Sequence, residues 1–149
     1  MPSGVEARVR PGIVVVRDDG ESGYTGRQGG DFHYGASSAT VGSTGLCMHV
    51  INIPPGSRGV PHKHVGHESA VYVVKGRHEI WHGEGFDQRL TVEPGDVVYI
   101  PADYPHVPVT YHEPVTVVVA RTDPAEQESV HVLPLAGAHP LREKRASMA

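Results

Sequence analysis

Gly56–Gly76 reads GSRGVPHKHVGHESAVYVVKG, and this stretch decides the fold and the chemistry together. His62 and His64 stand two residues apart, so on an extended chain both side chains leave the same face. Two imidazoles on one face can share a metal ion without distorting the backbone. A short Val65-Gly66-His67 turn follows, and Glu68 is then the first acid able to offer a carboxylate from the neighbouring strand. That strand is Ala70–Val74 (AVYVV), β-branched and aromatic, and it is stopped by Lys75-Gly76.

A second stretch answers the first. Gly95–Thr110 reads GDVVYIPADYPHVPVT, in which the strand-like Val97–Ile100 runs into the turn Pro101–Pro105 and His106 returns behind it. Three imidazoles and a carboxylate form a mixed nitrogen and oxygen donor set suited to one divalent transition metal ion: Fe, Mn, Ni, Co, Cu or Zn.

Outward from these segments the chain alternates short apolar runs with turns. Gly12–Arg17 (GIVVVR), Leu46–Ile53, His78–His82, Arg89–Val92 and Val115–Ala120 (VTVVVA) read as strands, separated by Asp18-Asp19-Gly20, Pro54-Pro55-Gly56, Gly83-Glu84-Gly85 and Pro94-Gly95-Asp96. Gly 18 and Pro 13 together fill about a fifth of the 149 residues, against roughly 12% in average usage. This spacing predicts an all-β sandwich or barrel. The helical signal is confined to one turn, where Asp123 precedes Pro124.

Composition excludes other classes. Lys and Arg number 13 against 17 Asp and Glu, for a net charge of -4, so the basic footprint of a nucleic-acid binder is absent. No window approaches the roughly 18–20 apolar residues of a membrane span, and MPSGVEARVRPG lacks the apolar run of a secretory signal. The single cysteine, Cys47, excludes an intramolecular disulfide and suits a reducing compartment. The expected setting is cytoplasmic, with no nucleic acid and no membrane as partner. Histidine is the anomaly: there are 11 in the chain.

The two histidine segments resemble the paired motifs of the cupin superfamily, G-x5-H-x-H-x3,4-E-x6-G and G-x5-P-x-G-x2-H-x3-N. Gly56, His62, His64 and Glu68 fit the first, and Gly95, Pro101 and His106 fit the second. The resemblance covers about residues 46–120 and implies a double-stranded β-helix, the jelly-roll cupin barrel, with a metal held by His62, His64, Glu68 and His106. Three departures stand out. Seven residues separate Glu68 from Gly76 rather than six, so counting back from Gly76 puts Ser69 in the ligand slot. Either a bulge turns Glu68 inward, which is the reading preferred here, or His67 or water completes the set. Asp103 replaces a glycine, and aspartate tolerates the left-handed conformation such a turn requires. Thr110 replaces an asparagine whose usual role is structural.

Residues 46–133 are expected to form the barrel. Residues 1–45 then form an N-terminal strand and loop arm packing on the barrel or on a partner, and 134–149 a flexible tail. Four consecutive apolar residues, Ile13–Val16, need cover on both faces, which points to a homodimer that buries or exchanges this strand. The implied activity is that of a metal-dependent enzyme on a small-molecule substrate. Dioxygenase chemistry comes slightly ahead because no acid–base pair stands beside the motifs. The same donor set also serves isomerases and decarboxylases, and a non-catalytic ligand-binding cupin is the alternative of another class.

Other residues are weighed on spacing alone. His82 and Tyr104 are candidates to support the ligands or touch substrate, while His78 is read as solvent-facing beside Trp81 and His49 as a partly buried, satisfied side chain. His33 and Tyr34 stand as a possible cap on the barrel mouth, and His112, His131 and His139 as surface residues. Arg58 and Arg121 are the cations near the barrel segments able to pair with an anionic substrate, and spacing places neither.

Overall fold

The computed structural model describes residues 12–17, 23–125, 127–135 and 137–142. The alternating sequence produces strands almost throughout: β1 (Gly23–Thr25), β2 (Asp31–His33), β3 (Cys47–Ile53), β4 (His62–His64), β5 (Ser69–Lys75), β6 (His78–His82), β7 (Gln88–Val92), β8 (Val97–Ile100), β9 (His106–Val109), β10 (Val115–Arg121) and β11 (Val130–Val132). One short helix, α1 (Ser38–Val41), and a 3-10 turn (Pro140–Arg142) complete the described elements. None of the described helices is long and apolar enough to cross a membrane.

The strands form two antiparallel sheets. One runs β1-β2-β3-β10-β5-β8 and the other β11-β4-β9-β6-β7. From β3 onward consecutive strands fall in opposite sheets, except for the β6–β7 hairpin, and the paired sheets make the expected jelly-roll barrel. Period-two alternation sets the lining. β10 turns Val115, Val117, Val119 and Arg121 inward, β3 turns Cys47, His49, Ile51 and Ile53, and β5 turns Ser69, Val71 and Val73. Along each of these strands one end is aliphatic and the other polar. The aliphatic end packs Phe32, Ile51, Ile53, Val73, Ile80, Val92, Val115 and Val117 into the core between the sheets. The polar end brings Arg121 opposite both Cys47 and Ser69.

A second apolar cluster lies on the outside of the five-stranded sheet. Trp81, Phe86, Val107, Val109, Tyr111 and Leu141 are buried there, with Leu133 and Leu135 packed against them. Trp81 Nε1 donates to Glu79 Oε1 at 3.0 Å and the Arg89 guanidinium lies 3.7 Å from the ring centroid. His139 adds a hydrogen bond to the Gly85 carbonyl at 2.8 Å. Leu133, Leu135 and Leu141 thus lie on this sheet face; of the tail expected from residue 134, residues 136 and 143–149 lie outside the described residues. The charged composition of the tail concealed Leu133, Leu135 and Leu141, which have an apolar surface to fill.

Two further expectations differ. Gly12–Arg17 falls in no strand of the single chain, and Ile13 and Val15 are exposed. In the region after it, β1 and β2 extend the six-stranded sheet through Asp31↔Asn52 and Phe32↔Ile51. The turn after Asp123 is not helical, because its carboxylate accepts from the Ala125 and Ser129 backbone and bends the chain back into β11. At the second motif the substitution of aspartate holds. Asp103 takes φ of 62° and its Oδ1 accepts from Gly66 N. Thr110 is structural as expected, its hydroxyl donating to the Pro54 carbonyl while accepting from Ser57 N.

Candidate metal centre

β4 is only His-Lys-His, and its alternation sends His62 and His64 into the barrel while Lys63 points away. β9 pairs with β4 through His62↔His106, so the third imidazole arrives directly across the ladder from the first. The ring centroids lie 5.1 Å (His62–His64), 4.4 Å (His62–His106) and 5.5 Å (His64–His106) apart. One nitrogen from each ring falls within 4.8 Å of the other two, and this is the His, Cys, Asp or Glu grouping found among the described residues.

Hydrogen bonds fix which nitrogen is offered. His62 Nδ1 lies 2.7 Å from the Val60 carbonyl and His106 Nδ1 lies 2.8 Å from the Tyr104 carbonyl. A carbonyl only accepts, so in both rings Nδ1 carries the proton and Nε2 keeps its lone pair for the cavity. His64 Nδ1 is 3.5 Å from the Ser129 hydroxyl, and the Ser129 backbone is held in turn by Asp123. Such supports orient imidazoles for a metal.

Burial sets the protonation state. It lowers the pKa of His62 to about 3, of His64 to about 2 and of His106 to about 4, with mutual repulsion and the charge of Arg121 adding to the effect. The triad is therefore neutral near pH 7, the form that ligates. Buried, convergent, pre-oriented nitrogens whose lone pairs face one point are the donor set a late first-row divalent ion takes. The three imidazoles could hold one such ion.

The cavity in front of them has a volume of about 80 Å³. Its walls are mostly aliphatic, with Gln28, Ser69, His78 and Arg121 as further polar members. Arg121 is 4% exposed, and its Nε donates to Ser69 Oγ at 3.3 Å. Beside this cavity lies a more open one of about 360 Å³, which shares Ile80, Ile100 and His106 as walls and adds His82 and Tyr104. His82 Nδ1 and Tyr104 Oη are 2.9 Å apart.

Glu68 does not join the triad. No bulge turns it inward: Ser69, Ala70, Val71 and Tyr72 pair with β10 in unbroken register, and the irregularity of that ladder falls at Thr116/Val117, near the far end of the strand. With Ser69 facing the cavity, parity sends Glu68 to the opposite face, where its carboxylate stands near Tyr99 and raises the pKa of that phenol. His67 is held at the rim by Thr122, Nδ1 to Oγ1 at 3.0 Å. His78 also departs from expectation. It is 2% exposed, lines the cavity, and has its pKa lowered by burial. His33 bonds Asn52 instead of capping the mouth, and His49 is buried 3.9 Å from the Cys47 sulfur. Arg121 is the site residue that spacing failed to place, although the inward parity of Val115, Val117 and Val119 extends to it.

Residues 49–121 match the family model described as Cupin domain. No curated protein sequence matches the chain. Among solved structures, the polyketide cyclase RemF from Streptomyces resistomycificus aligns over 83% of this chain and 87% of its own, at 21% identity and a TM-score of 0.65. An uncharacterised protein with a double-stranded β-helix domain from Klebsiella pneumoniae aligns over 80% and 90%, at 15% identity and 0.56. Oxalate decarboxylase from Bacillus subtilis aligns over 76% of this chain and 30% of its own, at 19% identity and 0.62. At these identities the likeness is one of fold.

Proposed function

The chain belongs to the cupin superfamily, and from that premise we propose that it is a mononuclear metalloenzyme acting on a small molecule, with His62, His64 and His106 as the protein ligands. The observation that carries this is the convergence of three buried, neutral imidazoles on one point. A divalent ion held there by His62, His64 and His106 would supply Lewis-acid polarisation of a substrate oxygen. The fold does not choose the reaction, since structures as unlike in activity as a cyclase and a decarboxylase share it.

The residues around the triad favour proton transfer over dioxygen chemistry. The preference for a dioxygenase rested on the lack of an acid–base pair beside the motifs. Tyr104 Oη and His82 Nδ1 form such a pair at 2.9 Å, in the cavity that shares His106 as a wall. A substrate whose oxygen faces the imidazoles and whose body extends past Ile80 and Ile100 would meet Tyr104 as the group that gives or takes a proton, with His82 holding the hydroxyl in place. An isomerase, cyclase or decarboxylase activity follows from this arrangement. Aliphatic side chains line most of the inner cavity and keep bulk water from it.

We further propose that the protein is a homodimer in a reducing, cytoplasmic setting. On the outer face of the six-stranded sheet, Met48, Ala120, Ala70 and Tyr99 form one row across four strands, and Val50, Val118, Tyr72 and Val97 the next. Tyr72, Val97 and Tyr99 are exposed there, and an apolar face of this extent is a surface for a second copy.

Metal analysis of protein purified without chelator tests the centre: close to one equivalent is expected, and less than about a tenth of an equivalent sinks the metalloenzyme reading. Turnover of catechols, flavonols and β-keto acids, compared under air and under argon, then tests the reaction class. Activity retained under argon is expected. Turnover that requires and consumes oxygen would restore the dioxygenase.

A further inference from the structure

We infer that the centre is built to take its carboxylate from the substrate: Arg121 and Ser69 form a subsite that holds the carboxylate of an anionic small molecule against the ion carried by His62, His64 and His106. The inference rests on the metal reading above and adds the substrate class to it.

Three observations carry it. First, the position from which an inward acid would complete the donor set holds Ser69, while Glu68 is turned to the outer face beside Tyr99. No Asp or Glu lines the cavity among the described residues. Second, the residue opposite Ser69 in the ladder is Arg121, whose guanidinium is buried in the same wall and bonded to the Ser69 hydroxyl. An arginine presents a planar fork of donors whose geometry matches a carboxylate, and its charge persists at any working pH. Third, a divalent ion on three neutral imidazoles, with a guanidinium in the same cavity wall, concentrates positive charge in a space lined mainly by aliphatic side chains. An anion entering there meets attraction that bulk water no longer screens. The volume of about 80 Å³ suits a small planar group, with the rest of the molecule accommodated in the adjoining cavity past Ile80 and Ile100.

The test uses the full chain loaded with cobalt(II), whose visible spectrum reports a change of ligand. Acetate is titrated across the millimolar range against acetamide, its uncharged counterpart, and against inorganic phosphate. Wild-type protein is expected to show a saturable spectral shift with acetate and none with acetamide. Arg121→Lys should weaken acetate by about tenfold, the loss of a charge-assisted, two-point contact. Ser69→Glu should fill the subsite from within, abolishing the acetate response while holding cobalt more tightly against dialysis. This second variant keeps the test sharp should Arg121→Lys disturb folding. A cobalt-loaded protein that ignores acetate, or responds equally to acetamide, overturns the subsite and leaves the metal reading standing. A stronger response to phosphate than to acetate overturns the carboxylate assignment. Failure to bind stoichiometric cobalt overturns both.

Discussion

Mild acid is expected to destabilise the metal-free protein severely, because three imidazoles must stay neutral inside the folded chain. Burial lowers His62 to about 3, His64 to about 2 and His106 to about 4, whereas a histidine in the unfolded chain titrates near 6.5. The folded values lie below the unfolded ones, so this stability is fully present above about pH 6.5 and is lost as pH falls, the unfolded chain taking up protons that the folded chain refuses. Between pH 7 and pH 5 each imidazole costs about 2 kcal/mol, and the triad about 6 kcal/mol. That loss rivals the whole stability of an ordinary domain, about 5–15 kcal/mol. His78, also lowered by burial, acts in the same direction.

Urea denaturation of chelator-treated protein at pH 7, 6 and 5 measures the effect. The slope near pH 5 should correspond to about three protons taken up on unfolding. His64→Asn, which removes one titrating ring, should remove about a third of the pH dependence. Protein reloaded with zinc should resist acid further, since the ion binds the folded state and competes for the same lone pairs. A metal-free stability that changes by less than about 1 kcal/mol between pH 7 and pH 5 would refute the reasoning, because the rings would then be hydrated or already charged in the folded chain.

Three other outcomes follow from particular contacts. His64→Ala should lower metal retained after dialysis by about tenfold or more, while Glu68→Ala, whose carboxylate lies on the outer face, should leave it unchanged; elemental analysis decides, and equal losses would return Glu68 to the donor set. Leu141→Ala should destabilise the protein by about 2–5 kcal/mol in urea melts, because the side chain is buried against the outside of the five-stranded sheet; a change below about 0.5 kcal/mol would mean that Leu133, Leu135 and Leu141 do not hold that face. Tyr72→Lys with Val97→Lys should convert a dimer to monomer in sedimentation velocity, since the two residues are paired on the exposed apolar face, and an unchanged dimer would move the interface elsewhere.

How much of this was legible in the sequence depends on whether parity could be anchored. His62 and His64 were readable because two residues on one strand share a face whatever the register. His106 was readable through its resemblance to a motif, and the ladder pairing with His62 explains why that motif works. Glu68 and Ser69 were not separable in the same way. They are neighbours, so one must face in and the other out, and the choice is set by the turn at Val65–His67 and by the position of the irregularity opposite β5, neither of which leaves a local signal. His78 was misread for a related reason: its neighbours Glu79 and Trp81 look like a surface pair, yet they face a sheet surface covered by leucines from residues 133–141. Arg121 was within reach. Val115, Val117 and Val119 alternate with Thr116, Val118 and Ala120, and the inward phase they set continues to Arg121. A buried arginine at the end of an aliphatic column breaks the pattern where the core gives way to chemistry, and such breaks are where an anion is to be sought.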